Sequence, residues 1–326
     1  MNKILITTSS FGLHDTTSIH RLKNSGFEVI FNPYGRKLTE DEVFSLVEAH
    51  KPVGIVAGVE PLTSNVLRKA SGLKVISRCG IGLDSVDIEA AESMGIVVTN
   101  TPDAPTIPVA ELTMGLMLSL LRKIHNADSA IRNGQWYRPT GGLLFGKTVG
   151  IIGCGRIGSY LAKLLSSFQC KVLGYDAYKH NDSSTACNSL DPDSSSLHYK
   201  SSLCYQPSEL PQLLLESDII TLHIPYTSEN HHFINNDKIK LMKKGAYLIN
   251  ASRGGLVDET ALYEALKSDH LAGAALDSFE KEPYLGNLKE LDNVLLTSHI
   301  GSYALEGRII MENQSVDNLL RILLNM

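Results

Sequence analysis

The stretch VGIIGCGRIGSYLAKLL, residues 149–165, decides how the chain is read. Gly153, Gly155 and Gly158 form a G-x-G-x-x-G pattern, which on its own also occurs in plain tight turns. The flanking residues choose between the two readings. An apolar run, TVGII, enters the first glycine, and RIGSYLAKLLSSF, with helical spacing of its apolar residues, leaves the third. In such a strand–turn–helix unit Gly153 permits the sharp turn, Gly155 leaves room for a pyrophosphate, and Gly158 lets the helix lie close to the sheet. The N–H groups at the helix start then face the phosphate charge. A second apolar run, KVLGYD, ends in Asp176. A carboxylate there can accept hydrogen bonds from both adenosine ribose hydroxyls and repels a 2′-phosphate. The expected cofactor is therefore NAD rather than NADP.

The same rhythm fills most of the 326 residues. KILITT, EVIF, VGIVAG, KVISR and IVVTN come first; KTVGIIG, KVLGYD, DIITLHIP, AYLINAS, LAGAALD and NVLLTSH come later, with helix-like segments between. Strands buried on both faces read as such runs, which predicts parallel sheets built from βαβ units. A chain of this length usually divides in two. The expected fold class is α/β, with two doubly wound parallel-sheet domains, the first flavodoxin-like and the second Rossmann. The expected division is residues 1–100 plus 300–326 against 101–299. It rests on the closing segment EGRIIMENQSVDNLLRILLNM, helical by spacing, packing back on the first domain. In TIPVAELTMGLMLSLLRKIHNADSAIRNG, residues Val109, Leu112, Leu116, Leu120 and Ile124 recur at helical spacing and predict a long helix.

Composition excludes several functional classes. Apolar residues make up 43% and charged residues 20%, values of an ordinary soluble globular protein. A net charge of −5 argues against a nucleic-acid partner, which needs a basic face. MNKILITTSS has too short an apolar run for a signal peptide, and no uncharged apolar run reaches the roughly 18 residues of a membrane span. Five scattered cysteines, Cys79, Cys154, Cys170, Cys187 and Cys204, fit reduced thiols in a cytoplasm better than a disulfide frame. Residues 177–206 break the rhythm; rich in Ser, Asn and Asp, they predict a surface insertion after a strand. The insertion holds Cys187, His198 and Cys204 but no close ligand pair, so no metal site is expected.

A dinucleotide fold does not choose its chemistry. Moving a hydride between a 2-hydroxy acid and nicotinamide needs a cation for the substrate carboxylate, a base for the hydroxyl proton, and a group that orients that base. Candidates stand at strand ends. Arg253 follows AYLIN, and Gly254 and Gly255 permit an irregular turn before a helix begins near Asp258. Asp277 ends LAGAAL, with Glu282 in the loop behind it; His299 follows NVLLTS, with Gly301 beyond. Open α/β sheets bind ligands along that edge. A lone strand-end His is more often structural, but with an Arg and an acid in one cofactor domain the three read as a site.

Seven blocks in order carry a family resemblance: LKVISRCGIGLDSVDIEAA, GIVVTNTPDAPTIPVAELTMGLMLSLLR, GKTVGIIGCGRIG, SDIITLHIPYT, LINASRGGLVDETAL, AALDSFEKEP and NVLLTSHIGS. Over roughly residues 70–303 the chain resembles the D-isomer-specific 2-hydroxyacid dehydrogenases, and within them the phosphoglycerate dehydrogenase branch. The resemblance implies that Arg253 clamps the substrate carboxylate, that His299 exchanges the hydroxyl proton, and that Glu282 pairs with His299 and favours its imidazolium form. It implies that backbone amides around Gly80, Ile81 and Gly82 hold the other side of the carboxylate. Arg156 and Ile157 would cover the pyrophosphate, Asp176 the ribose, and Ile224 and Pro225 the adenosine side. Ala251 and Asp277 would position the nicotinamide, with Ser252 and Gly301 completing the cofactor set. It further implies a substrate-binding domain from both chain ends, an NAD-binding domain between them, and a homodimer through the latter. The 106–133 helix and the QWYR arm would supply much of that contact.

The chain also departs from that branch. Ala57-Gly58, then Val59 and Glu60, stand where phosphoglycerate dehydrogenases commonly carry an Arg-Ser pair near the substrate phosphate, although Arg78 is in place. Ser298 replaces the usual proline before the His. The substrates to weigh are 3-phosphoglycerate, glyoxylate or hydroxypyruvate, and an aliphatic 2-oxo acid. A non-catalytic NAD(H)-sensing scaffold of the same fold is the reading from another class. Glu282 argues against a formate dehydrogenase, whose pattern has Gln there.

Overall fold

The computed structural model describes residues 1–177 and 204–324. The expected insertion, with Cys187 and His198, lies almost wholly outside the described residues. The chain separates into two compact units: residues 1–108 with 302–326, and residues 109–301.

The first unit runs β1 (Lys3–Ile6), α1 (Thr17–Asn24), β2 (Glu28–Phe31), α2 (Glu40–His50), β3 (Gly54–Ala57), α3 (Ser64–Lys69), β4 (Val75–Arg78), α4 (Ile88–Ser93) and β5 (Val97–Thr99). All strand pairs are parallel, in the order β2-β1-β3-β4-β5. Local chemistry sets the helix starts. Thr39 and Glu42 form a reciprocal capping box at α2, and Thr63 and Asp87 cap α3 and α4. Leu5 packs on one face of the sheet with Val43, Val47 and Ile55; Ile4 and Ile6 pack on the other with Val316 and Leu319 of the C-terminal helix, Leu305–Leu323. Each such aliphatic side chain, fully withdrawn from water, contributes about 1.5–3 kcal/mol. The Ser77 hydroxyl donates to the Ser315 carbonyl at 2.7 Å and ties that helix to β4.

The second unit contains all but the first turn of α5 (Thr106–Leu121), then α6 (Ile124–Arg132), β6 (Thr148–Ile152), α7 (Arg156–Ser167), β7 (Lys171–Tyr175), β8 (Gln206–Pro207), α8 (Leu210–Glu216) and β9 (Ile219–Leu222). It closes with α9 (Asn236–Leu241), β10 (Ala246–Asn250), α10 (Glu259–Lys267), β11 (Leu271–Leu276) and β12 (Val294–Leu296). The order β12-β11-β10-β9-β6-β7-β8 is again all parallel, with its reversal between β6 and β9. This is the doubly wound Rossmann arrangement, and the first unit has the flavodoxin-like order, as the sequence predicts.

Two expectations need correction. The long helix breaks: Lys123 adopts a left-handed conformation, φ 52°, between α5 and α6. The reason lies in the arm that follows. The Gly142 amide donates to the Leu121 carbonyl at 2.8 Å, and a Cβ on Gly141 would lie 2.6 Å from that oxygen, so the arm takes the place of another helical turn. Among the cysteines, Cys79, Cys154 and Cys170 are outside any disulfide, whereas Cys204 is disulfide-bonded, against the expectation of reduced thiols throughout. No described helix is long and apolar enough to cross a membrane, and no described cluster of His, Cys, Asp and Glu could hold a metal ion.

Candidate active site

The glycine-rich turn follows β6 at the point where strand order reverses. Gly153 has φ 97°, and any side chain on it would collide with the His223 carbonyl. Gly158 has no room either, since its Cβ would strike the Gly153 carbonyl. A Cβ on Gly155 would meet nothing within 4 Å among the described residues beyond its own chain neighbours and helix, and Gly155 caps α7 without a side-chain hydrogen bond. Small residues therefore bring helix and sheet together at two glycines and leave open space at the middle one. A side chain at Gly155 would fill that space, so the turn fits a pyrophosphate. Asp176, just past β7, accepts a hydrogen bond from the Cys154 amide at 3.0 Å, which ties the acidic side chain to the turn. Arg156 and Ile157 open α7, and the Ile224 side chain lies 2.8 Å from where a Gly153 Cβ would be. Pro225 follows it, its carbonyl accepting from Asn230 at 2.7 Å.

Sequence reasoning missed His223. Burial pushes its imidazole down to about 3, so it is neutral. Nε2 meets the Thr221 hydroxyl at 3.0 Å; Nδ1 is buried without a partner among the described residues. Nothing local in LHIP announces this, because the burial comes from elements distant in sequence.

Farther along the same edge, β10 delivers Asn250, Ala251, Ser252 and Arg253. Asn250 is fully buried and organises the turn: its amide donates to the Arg253 carbonyl at 2.8 Å, and its oxygen accepts from the Ser252 amide at 3.1 Å. The Ser252 hydroxyl donates to the Leu222 carbonyl, and Arg253 Nη1 donates to the Ser252 carbonyl at 2.9 Å. Gly254 does more than permit a turn. A Cβ on it would collide with the Phe279–Glu280 peptide, so its bareness lets the loop carrying Glu282 approach the Arg253 turn.

Asp277 and His299 are linked through backbone. Asp277 is 1% exposed, and its carboxylate accepts from the Thr297 hydroxyl at 2.6 Å and from the Ile300 and Gly301 amides at 2.8 Å each. His299 lies inside that clamp with φ 56°, a left-handed conformation uncommon outside glycine. Its Nδ1 meets both Glu282 oxygens, at 3.0 and 3.1 Å. Glu282 Oε1 also accepts from the Phe279 amide at 3.2 Å, which fixes the carboxylate on its own loop. With Nδ1 bound to a carboxylate, the neutral ring carries its proton there and presents the Nε2 lone pair outward. The arrangement can accept and return a proton at one defined atom.

Arg78, Gly80, Ile81 and Gly82 belong to the first unit. Arg78 ends β4 and is 8% exposed; its guanidinium donates to the Cys79 carbonyl and lies 2.7 Å from where a Gly80 Cβ would be. Gly80 has φ 146°, and its amide donates to the Thr101 hydroxyl at 2.8 Å. That donor is engaged within the unit, which leaves the Ile81 and Gly82 amides as the ones suited to a ligand.

Comparison with known proteins agrees with this geometry. Residues 114–301 match the D-isomer specific 2-hydroxyacid dehydrogenase, NAD binding domain family. The chain is 41% identical over 276 residues to a D-3-phosphoglycerate dehydrogenase of Methanocaldococcus jannaschii, covering 83% of this chain but 49% of that protein. It is 42% identical over 272 residues to a glyoxylate reductase of Thermofilum pendens, covering 81% of this chain and 76% of that one. The chain thus spans about half the length of the first relative and most of the second. Among solved structures, D-lactate dehydrogenase of Aquifex aeolicus, complexed with NAD and lactic acid, superposes with a TM-score of 0.80 at 28% identity, over 99% of this chain and 96% of the other.

Proposed function

The chain belongs to the D-isomer specific 2-hydroxyacid dehydrogenase family, and from that premise we propose that it is an NAD-dependent oxidoreductase acting on a D-2-hydroxy acid or the matching 2-oxo acid. The observation that carries this reading is the contact of both Glu282 oxygens with His299 Nδ1, at 3.0 and 3.1 Å. It leaves His299 Nε2 as the proton-exchanging atom: it takes the C2 hydroxyl proton in oxidation and returns it in reduction. Glu282 holds the tautomer and stabilises the imidazolium that forms. Asp277 fixes the His299 backbone through the Ile300 and Gly301 amides. Arg253 binds the substrate carboxylate and polarises the 2-oxo group. When bound, NAD(H) accepts or supplies the hydride. Gly153, Gly155, Gly158, Arg156 and Ile157 hold its pyrophosphate, and Asp176 its ribose. Ile224, Pro225, Ala251, Ser252 and Gly301 complete its bed. Arg78 and the Ile81 and Gly82 amides are the substrate donors of the first unit.

A panel of 2-oxo acids, with NADH and NADPH compared, tests the reading. Loss of nicotinamide absorbance with at least one acid is expected, faster with NADH. Silence across the panel while NADH binds would replace the enzyme with a sensor. The chain is further proposed to form a homodimer through the cofactor unit. Trp136, Leu143 and Phe145 in its arm are 78%, 66% and 60% exposed, an apolar surface that a second copy would cover. A monomer mass by light scattering would refute that.

A further inference from the structure

Glu60 follows β3 at the carboxyl edge of the five-stranded sheet and is 2% exposed. Its Oε1 accepts from the Gly58 amide at 2.9 Å and from the Thr7 hydroxyl. Its Oε2 has no hydrogen-bond partner among the described residues. Thr8 Oγ1 is buried and also unpaired. Both atoms border the bare face of Gly58, where a Cβ would lie 2.6 Å from Glu60 Oε2 and 3.4 Å from Thr8 Oγ1.

Thr7 and Thr8 follow β1, whereas Gly58 and Glu60 follow β3. The four therefore stand where the strand order β2-β1-β3-β4-β5 reverses, the place at which open α/β sheets take ligands. Buried polar atoms are normally paired. Thr8 Oγ1 breaks that rule, and with the unpaired Glu60 oxygen on the same face of Gly58 it suits a ligand that brings its own donor hydrogen.

We propose that Glu60 and Thr8 form a specificity subsite that accepts an uncharged, hydrogen-bond-donating end of the 2-oxo acid, such as a 3-hydroxyl, and refuses a phosphoryl group. The proposal rests on the dehydrogenase reading and names its substrate class. A phosphoryl group brings one to two negative charges next to a poorly hydrated carboxylate, and repulsion there is far less screened than in water. Arg78, across from Ala57 in the β3–β4 register, serves the Gly80–Gly82 loop that would hold the substrate carboxylate, its guanidinium donating to the Cys79 carbonyl beside Gly80. A hydroxyl suffers no such repulsion and completes the Glu60 bonding.

Steady-state kinetics with NADH compare hydroxypyruvate with its 3-phosphate ester. Wild type is expected to favour hydroxypyruvate by about 100-fold or more in kcat/KM. Glu60→Gln keeps the shape and one acceptor oxygen, and is expected to narrow that ratio by about tenfold or more through a gain on the ester. Thr8→Val is expected to lower kcat/KM for hydroxypyruvate by about three- to tenfold and to leave the ester rejected. A wild type that prefers the ester overturns the subsite, even if Glu60→Gln does not fold. So does a folded Glu60→Gln that changes both substrates in equal proportion, which would make Glu60 structural. If wild type reduces no 2-oxo acid, the dehydrogenase reading fails separately. Calorimetric titration of the NAD-bound protein with glycerate and 3-phosphoglycerate then still reads the subsite: Glu60→Gln must narrow the gap between the two Kd values, and an unchanged gap overturns it.

Discussion

The two sheets share one construction, parallel and doubly wound, yet the groups that would react on one carboxyl edge and the groups that would discriminate on the other differ in how completely they are paired. On the seven-stranded sheet Asp277 accepts three hydrogen bonds, Asn250 uses both ends of its amide, and Glu282 holds His299 with both oxygens. On the five-stranded sheet Glu60 Oε2 and Thr8 Oγ1 are buried or nearly so and unpaired among the described residues. Paired groups such as Asp277, Glu282 and His299 are held in fixed positions before a ligand arrives, which is what proton transfer at one atom requires. An incompletely paired edge leaves bonds for the ligand to make, which is what discrimination requires. One fold thus offers both properties, depending on the loops that cap its strands.

The largest effect that would break this comparison is at His299. His299→Ala removes the proposed proton-exchanging atom and leaves the glycine-rich turn untouched. A loss of about 100- to 10,000-fold in kcat is expected, with the NADH Kd within about threefold of wild type. A loss below about tenfold would show that the paired edge is not the reacting one.

Next comes Gly254. A side chain there collides with the Phe279–Glu280 peptide, so Gly254→Val must push away the loop that carries Glu282. Forcing extra volume into a packed contact costs about 1–3 kcal/mol, and Tm is expected to fall by roughly 2–4 °C per kcal/mol. Because the displaced loop orients His299, kcat should fall about 10- to 100-fold in protein that still binds NADH. A variant with wild-type kcat would show that this loop does not position the imidazole.

These two positions also show what was legible in the sequence. Strand rhythm gave the fold class because parallel strands buried on both faces must be apolar at nearly every position, as Ile219–Leu222 are. The three glycines of the turn are legible from their spacing between a strand and a helix, although the carbonyl that excludes a side chain at Gly153 belongs to His223, far along the chain. From the sequence Gly254 predicts only an irregular turn, since the peptide it makes room for is distant along the chain. The break at Lys123 was hidden because it is imposed by an arm that returns at Gly141 and Gly142. Engagement of the Gly80 amide by Thr101 was hidden likewise. In the sequence Glu60 stands out only as a departure from a pattern; its burial and half-made bonding depend on the fold.

A smaller effect separates cofactor choice from catalysis. Asp176 accepts from the Cys154 amide at 3.0 Å and is proposed above to accept from the cofactor ribose. Asp176→Ala should weaken NADH by about tenfold, as expected for loss of charge-assisted hydrogen bonds, and NADPH by less. Equal weakening of both, measured by fluorescence titration, would show that Asp176 braces the turn without reading the ribose.

The smallest expected effect tests whether the edges can be perturbed independently. Ser77 is fully buried; its hydroxyl donates to the Ser315 carbonyl at 2.7 Å and accepts from Thr99 at 3.2 Å. Ser77→Ala removes a bond that holds the C-terminal helix on β4 but leaves the Ser315 carbonyl with its own helical partner. The cost should therefore stay near that of one neutral hydrogen bond, about 0.5–1.5 kcal/mol. Neither NADH affinity nor kcat should change by more than about twofold, because Ser77 lies in the strand below its carboxyl end and none of its partners belongs to the second unit. Loss of NADH binding in step with lost stability would mean that strain in the five-stranded sheet reaches the cofactor turn. The contrast between a positioning edge and a discriminating edge would then give way to a single coupled one.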